Sequence, residues 1–240
     1  MKVLKSLKGF LTALCMILSC VFTTLNAAGP ITHALLTENL FRLHPQYDKE
    51  EQMAFRAGTL FSGIRNLGQL SEEETIFPHI SIDDILSEPS PFLAGMMFHS
   101  LVDELRDQFI ANGEYLNLLS DLPITHSLLY LKFLDDQIMF PSLDKTVWLD
   151  TVNTIRPEEL AWGVDESALK QWHYLLNMSF SYQPSTLIFF INLQGNGLLG
   201  VPASEVSLWN QTFDGVSKRA DVQLYVTELL KMFKSALIGN

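Results

Sequence analysis

A chain of 240 residues can bury one sizeable hydrophobic core, and a single domain is the default at this length. Its formal net charge of −11 excludes electrostatic attraction to nucleic acid or anionic lipid as a main driving force, though not an enzyme that takes phosphate esters through bound cations. Both cysteines, Cys15 and Cys20, fall within the first 27 residues. The remainder can form no disulfide, and a metal site there must be built from His, Asp or Glu.

Residues 1–27 read as a secretory signal peptide: Lys2, Lys5 and Lys8, an apolar run from Gly9 to about Val21, then small residues at Ala27 and Ala28. The run is shorter than the roughly 20 residues a spanning helix needs; a retained N-terminal anchor is the alternative. Ile17-Leu18-Ser19-Cys20 loosely resembles a lipoprotein processing site, which leaves lipid anchoring at Cys20 as a further alternative. On the signal-peptide reading, residues 28–240 form an exported domain, periplasmic or secreted. Loss of three lysines and no acid takes its formal charge from −11 to −14.

Helical signals fill that domain. Residues 31–43 carry apolar positions at Ala34, Leu35, Leu40, Phe41 and Leu43, and His44-Pro45 stops them. Residues 50–67 continue with Met53, Phe55, Ala57, Leu60, Phe61, Ile64 and Leu67. A short turn of helix is expected over 81–86, and Glu72-Glu73-Glu74 suits a helix first turn or a solvated face. Pro89 and Pro91 introduce a long helix that runs to about Asn112, with Gly113 as its stop. Further helices are expected over 125–140, 165–182 and 214–238. Residues 185–193 could pass for a strand but have no partner of similar character. Trp148, Trp162, Trp172 and Trp209 suit core packing. Gly195, Gly197 and Gly200 mark a loop, with no strand–turn–helix unit to make it a phosphate cradle. The expectation is one all-α, multi-helix domain over 28–240.

The chemistry-bearing pattern is His99 and Asp103 on the long helix. Residues i and i+4 point the same way, so an imidazole and a carboxylate can reach one metal ion or form an ordinary ion pair. Phe98, Leu101, Val102, Leu105 and Phe109 form the buried stripe of this helix, and the pair sits about a quarter-turn from its centre, at the core edge. Gly95, one turn earlier, leaves room for close approach of a backbone or ligand. His33, His79 and His126 each stand near the start of a helical run.

Thr32-His33, the segment Ala57 to Ile64, His79, and Gly95-Met96-Met97-Phe98-His99-Ser100-Leu101-Val102-Asp103 together resemble the bacterial zinc-dependent phospholipase C family, related in fold to fungal single-strand nucleases. The similarity spans about residues 31–107. It implies a single all-α domain in which His33, His79, His99 and Asp103 converge as metal ligands, with Asp103 able to bridge two ions. It implies one or two zinc ions, which would activate water against a phospholipid or other phosphodiester. The chain departs from the pattern at Ser62-Gly63, where the family has Pro-Asp, and it lacks a clean match to the downstream His-x-x-x-Glu pair and to the N-terminal tryptophan. The sequence thus points to an exported phospholipase C-like phosphoesterase with a reduced metal site. A non-catalytic helical descendant that binds a partner or lipid is the alternative, and a metal-free structural module is a third.

Overall fold

The computed structural model describes residues 28–238 apart from Asn196 and Leu199, so the leader expected over 1–27 lies outside the described residues. In chain order the helices are α1 (Pro30–Leu43), α2 (Lys49–Phe61), α3 (Arg65–Gly68), α4 (Glu72–Thr75), α5 (Ile82–Ser87), α6 (Pro91–Gly113), α7 (Ser127–Met139), α8 (Thr146–Val152), α9 (Pro157–Ala161), α10 (Glu166–Ser181), α11 (Pro184–Leu193), α12 (Ala203–Ser217) and α13 (Ala220–Ile238). Among the described residues there is no strand, only an isolated bridge between Leu198 and Val201, so the domain is all-α. No helix there is long and apolar enough to cross a membrane.

The helix starts follow local chemistry. Asp48 caps α2 by accepting from the backbone of Glu50 and Glu51, and Glu51 returns a bond to the Asp48 N–H. Ser90 accepts from Leu93 N, and Pro91 fills the first turn of α6, where its missing N–H costs nothing. Two helices borrow distant carboxylates instead. The first free N–H groups of α1 go to Asp136 of α7, and those ahead of α7 go to Glu205 of α12.

The most extensive helix pairing is α2 against α6. It is possible because two glycines face backbone: a Cβ on Gly58 would lie 1.9 Å from Phe92 O, and one on Gly95 would lie 2.1 Å from Phe55 O. Around this pair α1, α7, α10, α12 and α13 bury a continuous core that includes Phe55, Phe61, Phe98, Leu134, Trp148, Trp209, Phe213 and Phe233. Trp172 is buried as well, and Trp162 packs against the same core.

Several local expectations change. The helix expected over 50–67 breaks at a 3-10 turn, Ser62–Ile64, before the single turn of α3. Gly113 is the last residue of α6, but the left-handed residue after it is Glu114, at φ 53°. The glycine leaves room for the Tyr115 ring, since a Cβ there would sit 1.9 Å from it and the ring would have to move. Residues 185–193 are helix α11, because Pro184 supplies a first turn and no strand is there to pair with. The single helix expected over 214–238 is two, α12 and α13, separated around Lys218-Arg219. The part of α12 before Asp214, and the short α8 and α9, were not expected from the sequence.

Candidate metal centre

His99 and Asp103 occupy the position the wheel expects. Phe98 and Val102 are buried while the His99 and Asp103 side chains are 15% and 23% exposed, so the pair lies at the core edge of α6. The close approach through Gly58 and Gly95 brings the Thr59 carbonyl to 2.8 Å from His99 Nδ1. A carbonyl only accepts, so Nδ1 carries the proton. In the neutral ring, Nε2 then presents a lone pair 3.3 Å from Asp103 Oδ2. A backbone carbonyl that holds the second ring nitrogen of a histidine is a common outer-layer partner in metal sites.

The third member comes from α1. His33 is 2% exposed and stacks on His99 with ring centroids 3.9 Å apart and planes 8° from parallel. Its Nε2 is 3.1 Å from Asp103 Oδ1, yet neither of its ring nitrogens makes a hydrogen bond. The approach is an ion-pair contact that does not meet full N–H···O hydrogen-bond geometry. The backbone N–H of Ala28 donates to the same Oδ1 at 2.7 Å. One ligand atom from each of His33, His99 and Asp103 lies within 4.8 Å of the others, so this group could hold a metal ion. Tetrahedral bonds of about 2.0–2.2 Å would draw such atoms to roughly 3–4 Å apart.

Burial and mutual charge set the protonation of the two groups that face each other, His33 and Asp103. Burial first, then the neighbouring His99, push the His33 pKa down to about 4 against the opposing pull of Asp103. Burial alone would raise the Asp103 carboxyl, but His99 and then His33 outweigh it and hold it well below the usual carboxylate range. At neutral pH the site therefore presents an ionised carboxylate beside a neutral buried imidazole. Lys132 is pushed down to about 8 by burial, with Asp103 opposing. Asp107 is pushed up to about 6 by burial and by Asp103, and Asp136 to about 6 by burial against its bonds from Thr32 and Ile31.

Of the four ligands the resemblance implies, the fold brings together His33, His99 and Asp103. His79 does not join them: its side chain is 89% exposed, its backbone is left-handed at φ 58°, and its Nδ1 lies 3.4 Å from Glu104 Oε1. The Thr32-His33 and Gly-x-x-x-His-x-x-x-Asp segments lie on packed helices, whereas His79 rides the connection before α5. The remaining histidines have structural partners. His44 Nε2 meets Leu237 O at 3.0 Å, His126 Nδ1 meets Glu205 Oε2 at 2.9 Å, and His173 lies between Val152 O and Glu159.

Three contributors escaped sequence reasoning: the Thr59 carbonyl, the Ala28 N–H and Asp136. Backbone groups leave no mark in residue type. Asp136 did leave one, because Asp135-Asp136, like Lys132, interrupts the apolar run of α7, where every residue from Leu129 to Asp136 is buried. Comparison with family models, curated proteins and solved structures gives no match for this chain.

Proposed function

We propose that this chain is a zinc-dependent phosphoesterase of phospholipase C type with a reduced site, in which one zinc ion is held by His33, His99 and Asp103. The observation that carries the reading is His33. A buried imidazole whose two nitrogens lack a well-aligned hydrogen bond, with one of them 3.1 Å from an ionised carboxylate, has lost its solvation without full compensation, which a cation shared with that carboxylate would supply. Two neutral imidazoles and a carboxylate suit zinc, and three protein donors leave a fourth position for water. Zinc bound there would lower the pKa of that water and polarise a phosphoryl oxygen of a phospholipid or other phosphodiester. This chain's own part is to set the His99 tautomer through Thr59, to keep Asp103 ionised and to exclude water from His33.

Export would add to the site. Cleavage after Ala27 would convert the Ala28 peptide N–H, 2.7 Å from Asp103 Oδ1, into an α-ammonium group, which would offer a lone pair only on releasing a proton. Metal analysis of purified protein, with titration of the chelator-treated chain, is the direct experiment. One zinc per chain, lost on substitution of His33 and accompanied by slow phosphodiester hydrolysis, supports the reading. A folded chain that takes up no zinc ends it.

A second reading, a non-catalytic descendant of such a fold that binds lipid or a partner, draws on Gly63. The place where the resembled family carries an acid is occupied here by the Trp172 ring, 2.7 Å from where a Gly63 Cβ would stand. Zinc uptake without turnover of any phosphodiester would favour this alternative.

A further inference from the structure

His33 sits at the fourth residue of α1, so its direction depends on how that helix begins. The start has no cap of its own. Gly29, at the cap position, has no side chain, and Pro30 has no N–H. The first free donors, Ile31 N and Thr32 N, both go to the carboxylate of Asp136, at 3.3 and 2.9 Å, and the Thr32 hydroxyl joins them at 2.8 Å. Asp136 lies 104 residues away on α7 and is 5% exposed. The fit is tight: a Cβ on Gly29 would stand 2.1 Å from Asp136 Oδ2. Each residue of an α-helix turns by roughly 100° and advances about 1.5 Å. A shift of α1 by one residue would therefore swing His33 off its stack with His99.

We infer that Asp136 is a positioning residue of the metal centre, seating the first turn of α1 so that His33 faces the ligands of α6. The inference rests on the metal reading for its consequence, but the seating itself is a property of the metal-free chain. Asp136→Asn keeps the shape and places an NH2 group against backbone donors. Gly29→Ala strains the same contact from the other side.

Nitrogen-15 NMR of the histidine rings in chelator-treated protein separates positioning from general loosening. In Asp136→Asn and in Gly29→Ala the His33 resonances should move while those of His173 stay in place. Zinc affinity, measured by titration calorimetry, should fall by about 10- to 100-fold, the range typical for supports of metal ligands. Glu205→Gln is the control, since it removes an equivalent remote cap from the start of α7. It should lower the melting temperature and leave both the His33 resonances and zinc affinity unchanged. If Asp136→Asn does not fold, Thr32→Val, which removes the hydroxyl bond alone, should give a smaller shift confined to His33. Unmoved His33 resonances in a folded variant, or equal shifts at His33 and His173, would overturn the inference. If wild-type protein bound no zinc, the ring resonances alone would decide it, and only the metal reading would have failed.

Discussion

His33 and His173 are both buried beside a carboxylate, and they are bonded in opposite ways. His173 Nδ1 donates to Val152 O at 2.9 Å and its Nε2 meets Glu159 Oε1 at 2.7 Å, while Arg156 N donates to the other oxygen of Glu159 at 2.7 Å. Every polar atom of that pair has a partner, and the cluster ties α8, α9 and α10 together. His33 has the same burial and a carboxylate 3.1 Å away, yet neither nitrogen is bonded. Residue type, burial and an acidic neighbour therefore do not tell a structural histidine from a ligand. What sets the two apart is satisfaction: both ring nitrogens of His173 have partners, whereas those of His33 lack a well-aligned one, and that makes His33 the candidate ligand.

The largest expected effect is on stability, at the structural member of the pair. His173→Ala strands Glu159, which is 2% exposed, without its ring partner. Breaking a buried pair in this way typically costs about 3–5 kcal/mol. Urea unfolding should show that loss while zinc affinity stays within about twofold of wild type. His33→Ala should do the reverse, cutting zinc affinity by about 100-fold or more, or about 2.7 kcal/mol. It should cost less stability, since Asp103 keeps His99 and the Ala28 N–H. An exchange of these two outcomes would undo the distinction between the histidines.

Acidification of the metal-free chain should produce an effect of about 3 kcal/mol. The His33 pKa falls from 6.5 to about 4 on folding, so its neutral form contributes stability that is fully present above pH 6.5 and is lost as pH falls toward 4. At about 1.4 kcal/mol per unit, the total is about 3 kcal/mol. Asp136 and Asp107, pushed up to about 6, act in the opposite sense over part of that range. The readout is therefore the difference between wild type and His33→Gln. The wild-type advantage should shrink by about 3 kcal/mol between pH 6.5 and 4, and a constant difference would show that His33 takes up a proton freely.

Zinc should stabilise the fold by linkage. At a free concentration 100 times the dissociation constant the gain is about 2.7 kcal/mol, enough to raise the melting temperature by roughly 5–10 °C in a chain of this size. His173→Ala should retain that increment and His33→Ala should lose it. A zinc-dependent shift of equal size in both would place the ion elsewhere.

Local regularities made part of this architecture readable. The stripe Phe98, Leu101, Val102 and the edge position of His99 and Asp103 follow from helical period alone, and Gly95 signalled the close backbone that carries Thr59. Most of helix α12 escaped even though Val206, Trp209, Phe213 and Val216 recur at helical spacing and are all buried, because no proline or glycine marks the Lys218-Arg219 boundary that separates it from α13. His79 stands ahead of a helix as expected but entered the ligand set only through the resemblance, and its 89% exposed side chain on a left-handed residue stays apart from the other three. Asp136 meeting Thr32 depends on 104 residues of intervening chain, and no local pattern encodes such a pairing.

The smallest effect concerns Gly63, which faces the ring of Trp172 where the phospholipase C resemblance calls for a carboxylate. A Cβ there would lie 2.7 Å from both Cη2 and Cζ2 of that ring. Gly63 has no left-handed backbone, so the obstacle is space and not φ. The ring cannot swing aside freely, because Trp172 is 4% exposed and its Nε1 donates to Leu60 O at 3.2 Å. Gly63→Ala should therefore cost about 1–3 kcal/mol through overpacking. Gly63→Asp should cost at least as much, the excess over alanine measuring what it takes to place a charge against the ring. Neither should add a second zinc, since the aspartate would be spent on displacing Trp172. Trp172→Leu in the Gly63→Asp background relieves the clash and should recover part of the stability. A folded Gly63→Asp chain that bound two zinc ions would show the carboxylate reaching the metal group past the ring, and the single-ion reading of the site would then fall.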